Sequence, residues 1–457
     1  MYSIHTFLLQ KELFRSPEPV KTTVVSSFTD TPALQQIARQ ADSDYILFYT
    51  GTTPIELHPY AIGRMYQIAE SNDGALFYSD YQEIRQGKKI HHPTLEYQTG
   101  SIRNDFDFGQ LLLFRNDSFQ QVVAQMNTDY RFAALYELRL SISRLGKIVH
   151  IPETLYTVQP TDLRLSGEKQ FDYVDPANRE VQLEMEAVCT AHLQAIGAWL
   201  APEFQRIDFG QENFAREASV IIPVRNRKRT IAEAVESALQ QQTDFSFNVI
   251  VVDNHSTDGT GQILTELSRR YPNLIHHIPA STELGIGGCW TEAILLPECG
   301  KFAIQLDSDD LYKDCHVLQR IVDTFYQENC AMVIGSYQMV DFKLEEIPPG
   351  LIAHREWTPD NGRNNALRIN GLGAPRAFYT PVLRQIKFPN VSYGEDYATA
   401  LAISRKYPLA RIYDPLYLCR RWEENSDHDL DIQQLNNYNF YKDKIRTLEI
   451  QARISGK

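Results

Sequence analysis

Short apolar runs closed by small polar residues alternate with stretches of helical period along most of the chain, the pattern of an α/β protein. The first clear strand is Thr22–Phe28 (TTVVSSF). Asp44–Ile55 (DYILFYTGTTPI) is an apolar run ending in a turn of small polar residues; a helix-like stretch follows, then a second strand at 74–84 (GALFYSDYQEI). The same succession returns at Lys301–Tyr312 (KFAIQLDSDDLY) and 330–340 (CAMVIGSYQMV).

A longer pair of segments extends the likeness. Phe132–Val158 and Tyr393–Leu418 align so that Ile142-Ser143-Arg144 meets Ile403-Ser404-Arg405. Ile151 then meets Ile412, Leu155-Tyr156 meets Leu416-Tyr417, and Tyr136 meets Tyr397. Related segments in the same order predict an internal duplication. The register also sets Glu395-Asp396 against Ala134-Leu135, so one copy carries carboxylates where the other is aliphatic.

The second copy has an addition in front. A buried-type strand (ASVIIPVRN), a helical stretch (TIAEAVESALQQ) and a strand ending in a polar turn (FNVIVVDNHSTDGT) predict a β-α-β unit, with ligand space beyond the carboxyl ends of its strands. The residues before Thr22 look too few for such a unit, so the first copy reads as truncated. Between the copies, Asp175 and Pro176 suit a helix start. Val181, Met185, Val188, Leu193 and Ile196 make an apolar stripe behind them. The expected division is a domain over 1–160, a helical linker over 161–216 and a second domain over 217–457.

With 457 residues, more than one core is expected. A net charge of −13 argues against a nucleic-acid partner. The six cysteines form no CxxC pair, which suits reduced thiols and a cytoplasmic location. No apolar run approaches the ~18–20 residues of a membrane span, and the first residues make a poor signal peptide. Peripheral association at the inner face of the cell membrane stays compatible with this.

Candidate chemistry gathers in the second copy. Leu306–Asp310 (LDSDD) ends a strand with carboxylates on a turn, the oxygen ligands Mg²⁺ or Mn²⁺ prefers. Ile221–Asn226 (IIPVRN) and Val251–Thr260 (VVDNHSTDGT) end strands of the β-α-β unit, and Gly394-Glu395-Asp396 opens a helix. Leu284–Gly288 (LGIGG) permits close backbone approach to a ligand. In order, over roughly 218–430, these stretches resemble the family 2 inverting glycosyltransferases of the GT-A fold.

The resemblance implies a GT-A catalytic domain, Rossmann-like with a mixed, mostly parallel sheet, behind a truncated GT-A-like domain. It implies transfer from a nucleotide sugar, UDP- or dTDP-type, to a hydroxyl of a saccharide or lipid-linked acceptor, as in surface polysaccharide synthesis. Asp309 would bind a divalent cation, with Asp307 assisting or reaching the ribose and His428 completing the site. Pro223, Val224, Arg225, Asn226, Asp253, Asn254 and Gly285 would form the nucleotide site, Asn254 accepting the base N3–H and donating its amide to a base carbonyl. Asp396 would be the general base, Glu395 would bind acceptor hydroxyls, and Arg376 and Trp422 would face the acceptor. Trp290-Thr291 and Arg225 depart from the family pattern, so Arg225 is a candidate for the diphosphate contact. The alternatives are a sugar nucleotidyltransferase, which wants a Gly-rich basic loop that this sequence lacks, and a non-catalytic glycan- or nucleotide-binding scaffold.

Overall fold

Each half of the chain curls its strands into a sheet of its own. The computed structural model describes residues 3–159, 178–210, 212–422 and 430–456. The first sheet contains β1 (Ile4–Leu8), β2 (Phe14–Arg15), β3 (Lys21–Val24), β4 (Tyr45–Tyr49), β5 (Ile55–Leu57), β6 (Gly74–Arg85), β7 (Lys88–His92), β8 (Leu111–Arg115) and β9 (Lys147–Val158). The second contains β10 (Ala218–Val224), β11 (Phe247–Asp253), β12 (Leu274–His277), β13 (Phe302–Gln305), β14 (Leu311–Tyr312), β15 (Met332–Val340), β16 (Glu346–Ile352), β17 (Arg376–Tyr379) and β18 (Leu409–Arg420).

The expected duplication is visible in the topology. The first sheet runs β5-β9-β6-β8-β4-β1-β3 and the second β14-β18-β15-β17-β13-β10-β11, strand for strand. Pairing senses agree as well: β1–β4 and β10–β13 are parallel, while β4–β8 and β13–β17 are antiparallel. Even an irregular register is repeated. Tyr78, Asp80 and Tyr81 pair with His150, Thr154 and Tyr156, as Ile334, Ser336 and Tyr337 pair with Arg411, Pro415 and Tyr417. The matched tyrosines play one part in both copies: Tyr136 donates its hydroxyl to the Ile102 carbonyl, Tyr397 to the Ala366 carbonyl at 2.6 Å.

The amino-terminal addition differs in the expected direction, with one correction. The stretch before Thr22 does hold a strand, β1, paired in parallel with β3. What it lacks is the helix: a 3₁₀ turn at Lys11–Leu13 and the short β2 make the crossover. In the second sheet the helix Ile231–Leu239 joins β10 to β11 and buries Ile231, Ala234, Val235 and Ala238, the spacing of one helical face. β12, at the sheet edge beyond β11, has no counterpart in the first sheet.

One compact unit is Met1–Trp199 with Leu367–Ile369 and Leu430–Lys457; the other is Leu200–Ala366 with Asn370–Asp429. The boundary expected at 216 thus falls near 199. The helix Ile432–Ile454, expected with the second domain, belongs to the first unit. Buried Asp443 on that helix accepts hydrogen bonds from Ser101 Oγ (3.0 Å) and Arg103 Nε (3.2 Å). The linker helix is formed over Arg179–Ala195 and also lies in the first unit; its expected start at Asp175-Pro176 lies outside the described residues.

Candidate active site

The carboxyl ends of β10 and β11 carry the predicted nucleotide loops. Asp253 closes β11 and is buried. Burial works to raise its pKa, but hydrogen bonds from His276 (3.2 Å) and the Ser256 amide (2.9 Å) prevail and hold the carboxyl below its ordinary range. Asn226 and His255 both take positive φ, 55° and 56°, as the two loops turn back. Asn226 Oδ1 accepts the Thr257 amide at 2.8 Å and its own amide meets Ser256 Oγ at 2.9 Å, tying loop to loop.

Asn254 is anchored to the first residue of LGIGG, its Nδ2 donating one of its two hydrogens to the Leu284 carbonyl at 2.7 Å. Its Oδ1 is buried without a hydrogen-bond partner. A buried orphan acceptor costs free energy unless a ligand supplies a donor.

The LDSDD turn follows β13. The Asp307 backbone N–H donates to Tyr417 Oη at 2.9 Å, and Thr230 Oγ1 donates to the Ser308 carbonyl at 2.9 Å. Arg420, buried at the end of β18, donates its amide to Asp310 Oδ1 at 2.8 Å and its guanidinium to the Asp309 carbonyl and to Glu233. Asp309 keeps 14% of its side-chain surface exposed. Its Oδ2 receives the Trp422 indole N–H at 3.0 Å, with Arg227 Nε at 3.9 Å. Burial raises the Asp307 carboxyl, against the pull of Arg376. Asp310 is pushed well up by burial and by Asp309 and Asp307.

This donor set fits a divalent cation in one respect. Burial and mutual repulsion raise the Asp307 and Asp310 carboxyls despite Arg376 and the Arg420 amide, and a divalent cation offsets such repulsion. Among the described residues no group of three or more His, Cys, Asp or Glu is placed to hold an ion alone. Mg²⁺ sites of this class need only one or two carboxylates, with water and substrate phosphate completing the shell. His428 lies outside the described residues.

Beside this turn opens a cavity of about 420 Å³ lined by Asn226, Arg227, Lys228, Arg229, Asp258 and Trp422. Trp422, expected at the acceptor, instead faces Asp309 with its ring 5.3 Å from Phe342. The guanidinium groups of Arg227 and Arg229 lie over the same indole at 5.7 and 5.4 Å. Arg227 thus lines this cavity within 3.9 Å of the Asp309 carboxylate, while Arg225 is exposed at the end of β10.

Across β13, β17 and the helix Glu395–Ser404 lie the residues expected on the acceptor side. Gly394 caps the helix with φ 80°, which places both carboxylates in its first turn. Asp396 Oδ1 accepts the Tyr397 amide at 2.7 Å and Oδ2 accepts from Arg376 Nη1. Arg376, expected to meet the acceptor, thus holds the expected base. Glu395 is buried, with Oε2 lacking a partner. Burial and the adjacent Asp396 push its carboxyl up to about 8.

The glycines of LGIGG pack on protein rather than opening to a ligand. A Cβ on Gly285 would lie 2.6 Å from the Val391 carbonyl carbon, and one on Gly287 2.0 Å from the Pro389 oxygen. The Gly285 amide is taken by Asn390 Oδ1 at 2.7 Å. Gly285 therefore seats the loop leading into Glu395-Asp396 instead of meeting a nucleotide. Trp290 is core, against Phe378 and Phe388. Pro223 and Val224 lie in β10 and shape the nucleotide loop through the backbone, Val224 accepting the Asn254 amide at 2.8 Å. Sequence reading missed Gln305, Asp310, Arg227 and Arg420. Only Asp310 had a visible signal, as the third aspartate of its motif.

Residues 219–386 match the profile described as Glycosyl transferase family 2. Apart from Leu367–Ile369, the match lies within the second unit and takes in β10 to β17 of its mixed sheet. A poly(ribitol-phosphate) beta-glucosyltransferase of Bacillus spizizenii is 24% identical over 230 residues, 49% of this chain and 35% of that protein. The putative teichuronic acid biosynthesis glycosyltransferase TuaG of Bacillus subtilis is 26% identical over 195 residues, 42% of this chain and 74% of that one. The S. aureus TarS 1–349 structure with UDP-GlcNAc gives a TM-score of 0.40 at 22% identity, covering 52% of this chain and 72% of TarS. This chain spans only 25–37% of the length of several curated relatives. Among the described residues no helix is long and apolar enough to cross a membrane.

Proposed function

We propose that the second unit transfers a sugar from a nucleotide sugar to an acceptor hydroxyl with inversion at the anomeric carbon. The observation that carries this is the occurrence, in one unit, of the three-aspartate turn and the arginine-held Asp396, joined by Gln305. The acceptor proton goes to Asp396 as its oxygen bonds to the anomeric carbon. The bond from that carbon to the diphosphate breaks, and its electron pair leaves with the phosphate oxygen.

Asp309 and Asp307 would hold a Mg²⁺ or Mn²⁺ ion, which when bound takes up charge on the departing diphosphate. Arg227 stands where it adds a second positive charge to the same group. Asn254 Oδ1 suits an imide N3–H, favouring UDP- or dTDP-sugars. Glu395, protonated at neutral pH, donates a hydrogen bond to the acceptor. The similarity to a poly(ribitol-phosphate) beta-glucosyltransferase and to a putative teichuronic acid biosynthesis glycosyltransferase supports a cell-surface polymer as acceptor, saccharide or lipid-linked. The free cysteines suit the cytoplasm, at the inner membrane face where such an acceptor is met. The first unit is a degenerate, non-catalytic GT-A-like domain.

A donor panel with Mn²⁺ and Mg²⁺ tests this, reading nucleoside diphosphate release and product configuration by NMR. The β-product from an α-donor is expected. Pyrophosphate release would identify a nucleotidyltransferase, and absence of nucleotide binding would leave only a scaffold.

A further inference from the structure

A buried polar link joins β13 to β17. Gln305, buried at the end of β13, donates Nε2 to both oxygens of Asp307, at 2.9 and 3.0 Å. Its Oε1 accepts the backbone N–H of Arg376 at 3.1 Å. The Arg376 side chain then reaches Asp396. An unbroken chain of polar contacts therefore runs Asp307–Gln305–Arg376–Asp396.

The duplicated sheet supplies a control for what the fold alone requires. Tyr45, Ile46 and Leu47 of β4 face Arg115, Phe114 and Leu113 of β8. Phe302, Ala303 and Ile304 of β13 face Tyr379, Phe378 and Ala377 of β17 in the same order. One residue further along, Phe48 pairs with Leu112 in the first sheet; the matching positions in the second are Gln305 and Arg376, joined by the Arg376 N–H to Gln305 Oε1 bond. Both Phe48 and Leu112 are buried. The same topology thus closes with an apolar pair, which avoids desolvating an amide and a guanidinium. In the sheet with the polar pair, Asp396 stands where the other has Leu135.

We propose that Gln305 and Arg376 are positioning residues that lock the Asp396 carboxylate in its reacting orientation and tie it to the cation-side Asp307. This rests on the glycosyl-transfer reading above. Arg376 fixes one oxygen of Asp396, and Gln305 fixes the Arg376 backbone and the Asp307 carboxylate together. A disturbance at either residue reaches both ends of the reacting groups, and misplacement by about 1 Å is enough to cost on the order of 10²-fold in rate.

The test compares R376M, Q305L and the double variant Q305F/R376L, which installs the pair of the first sheet. Each is assayed for transfer at saturating donor, for nucleoside diphosphate affinity with Mg²⁺, and for thermal melting. R376M should lower kcat on the order of 10²-fold with diphosphate affinity within a few-fold of wild type, and Q305L should lower kcat about 10-fold and also weaken Mg²⁺-dependent diphosphate binding, because it frees Asp307. The double variant should lose no more than R376M alone, since residues acting as one unit are non-additive. Added guanidinium should restore part of the turnover of R376A. Folded variants with near-normal kcat would overturn the proposal and leave the glycosyltransferase reading standing. Additive losses without rescue would also overturn it, reducing the pair to packing. A wild type that transfers no sugar from any donor would refute the functional reading and this proposal together.

Discussion

The two sheets share strand order, pairing sense and register, yet bury their polar groups in different places. In the first, the turn after β4 is Thr50-Gly51-Thr52, and Tyr49 and Gln110 side-chain atoms lie 2.4 and 2.2 Å from where a Gly51 Cβ would be. In the second, the matching turn is Asp307-Ser308-Asp309. The helix that begins with Ala134-Leu135 in one begins with Glu395-Asp396 in the other. The polar cluster of the first sheet sits elsewhere. His92, opposite Tyr81, bridges Asp107 (2.9 Å) and Glu83 (3.5 Å); the residue opposite Tyr337 in the second is Ile352. The comparison teaches that neither set of charges is needed to build the sheet. Each costs desolvation free energy, so each marks something beyond the fold.

The largest effect should come from removing the proposed base. Asp396→Asn is expected to lower transfer by ~10²–10⁴-fold while donor affinity hardly moves, and Leu135→Asp in the other copy should leave transfer unchanged. Parallel kinetics on the two variants check this; near-normal turnover in Asp396→Asn would refute its role.

Next in size is Asp309→Ala. Calorimetry should show that Mg²⁺ no longer strengthens nucleoside diphosphate binding, at unchanged melting temperature. Equal affinity with and without EDTA in the wild type would remove the cation from the site.

The comparison also predicts a stoichiometry. Titration should find one nucleotide site per chain, abolished when Asp253, Asn254 and Asp309 are replaced together. A second site would mean that the first unit binds nucleotide without an aspartate turn.

The smallest effect concerns His92. Burial alone would lower its pKa, but Asp107 and Glu83 outweigh it and bring the imidazole up to about 9. A pKa raised on folding stabilises fully below the unfolded value near 6.5, and that contribution is lost as pH rises through about 9. Chemical denaturation from pH 6.5 to 9.5 should show a loss on the order of 2 kcal/mol, absent in His92→Gln. An identical slope in both proteins would sink the assignment.

Much of this was legible beforehand. Ile-Ser-Arg, Leu-Tyr and the paired tyrosines disclosed the duplication because they sit where the fold repeats an anchor. The aspartate motifs were legible because strand ends gather ligand-binding groups in this topology. β1 was not, since a short run buried along its whole length carries no alternation to distinguish it. The glycines of LGIGG were misread because close approach to a ligand and to a neighbouring backbone leave the same sequence trace. Gln305 and Arg376 are single polar residues at strand ends, and only the three-dimensional counterpart, Phe48 with Leu112, exposes them as unusual.

The helix Ile432–Ile454 has a consequence for how the protein is made. Arg103 is buried early in the chain, and one of its partners, Asp443, is translated only after the whole second unit. Domains usually fold in order as they leave the ribosome, but here the first unit waits with Arg103 held by Asp105 alone. Its completion is deferred until the second unit has been synthesised, so a chain stalled short of this helix would display an unfinished first domain to chaperones and proteases.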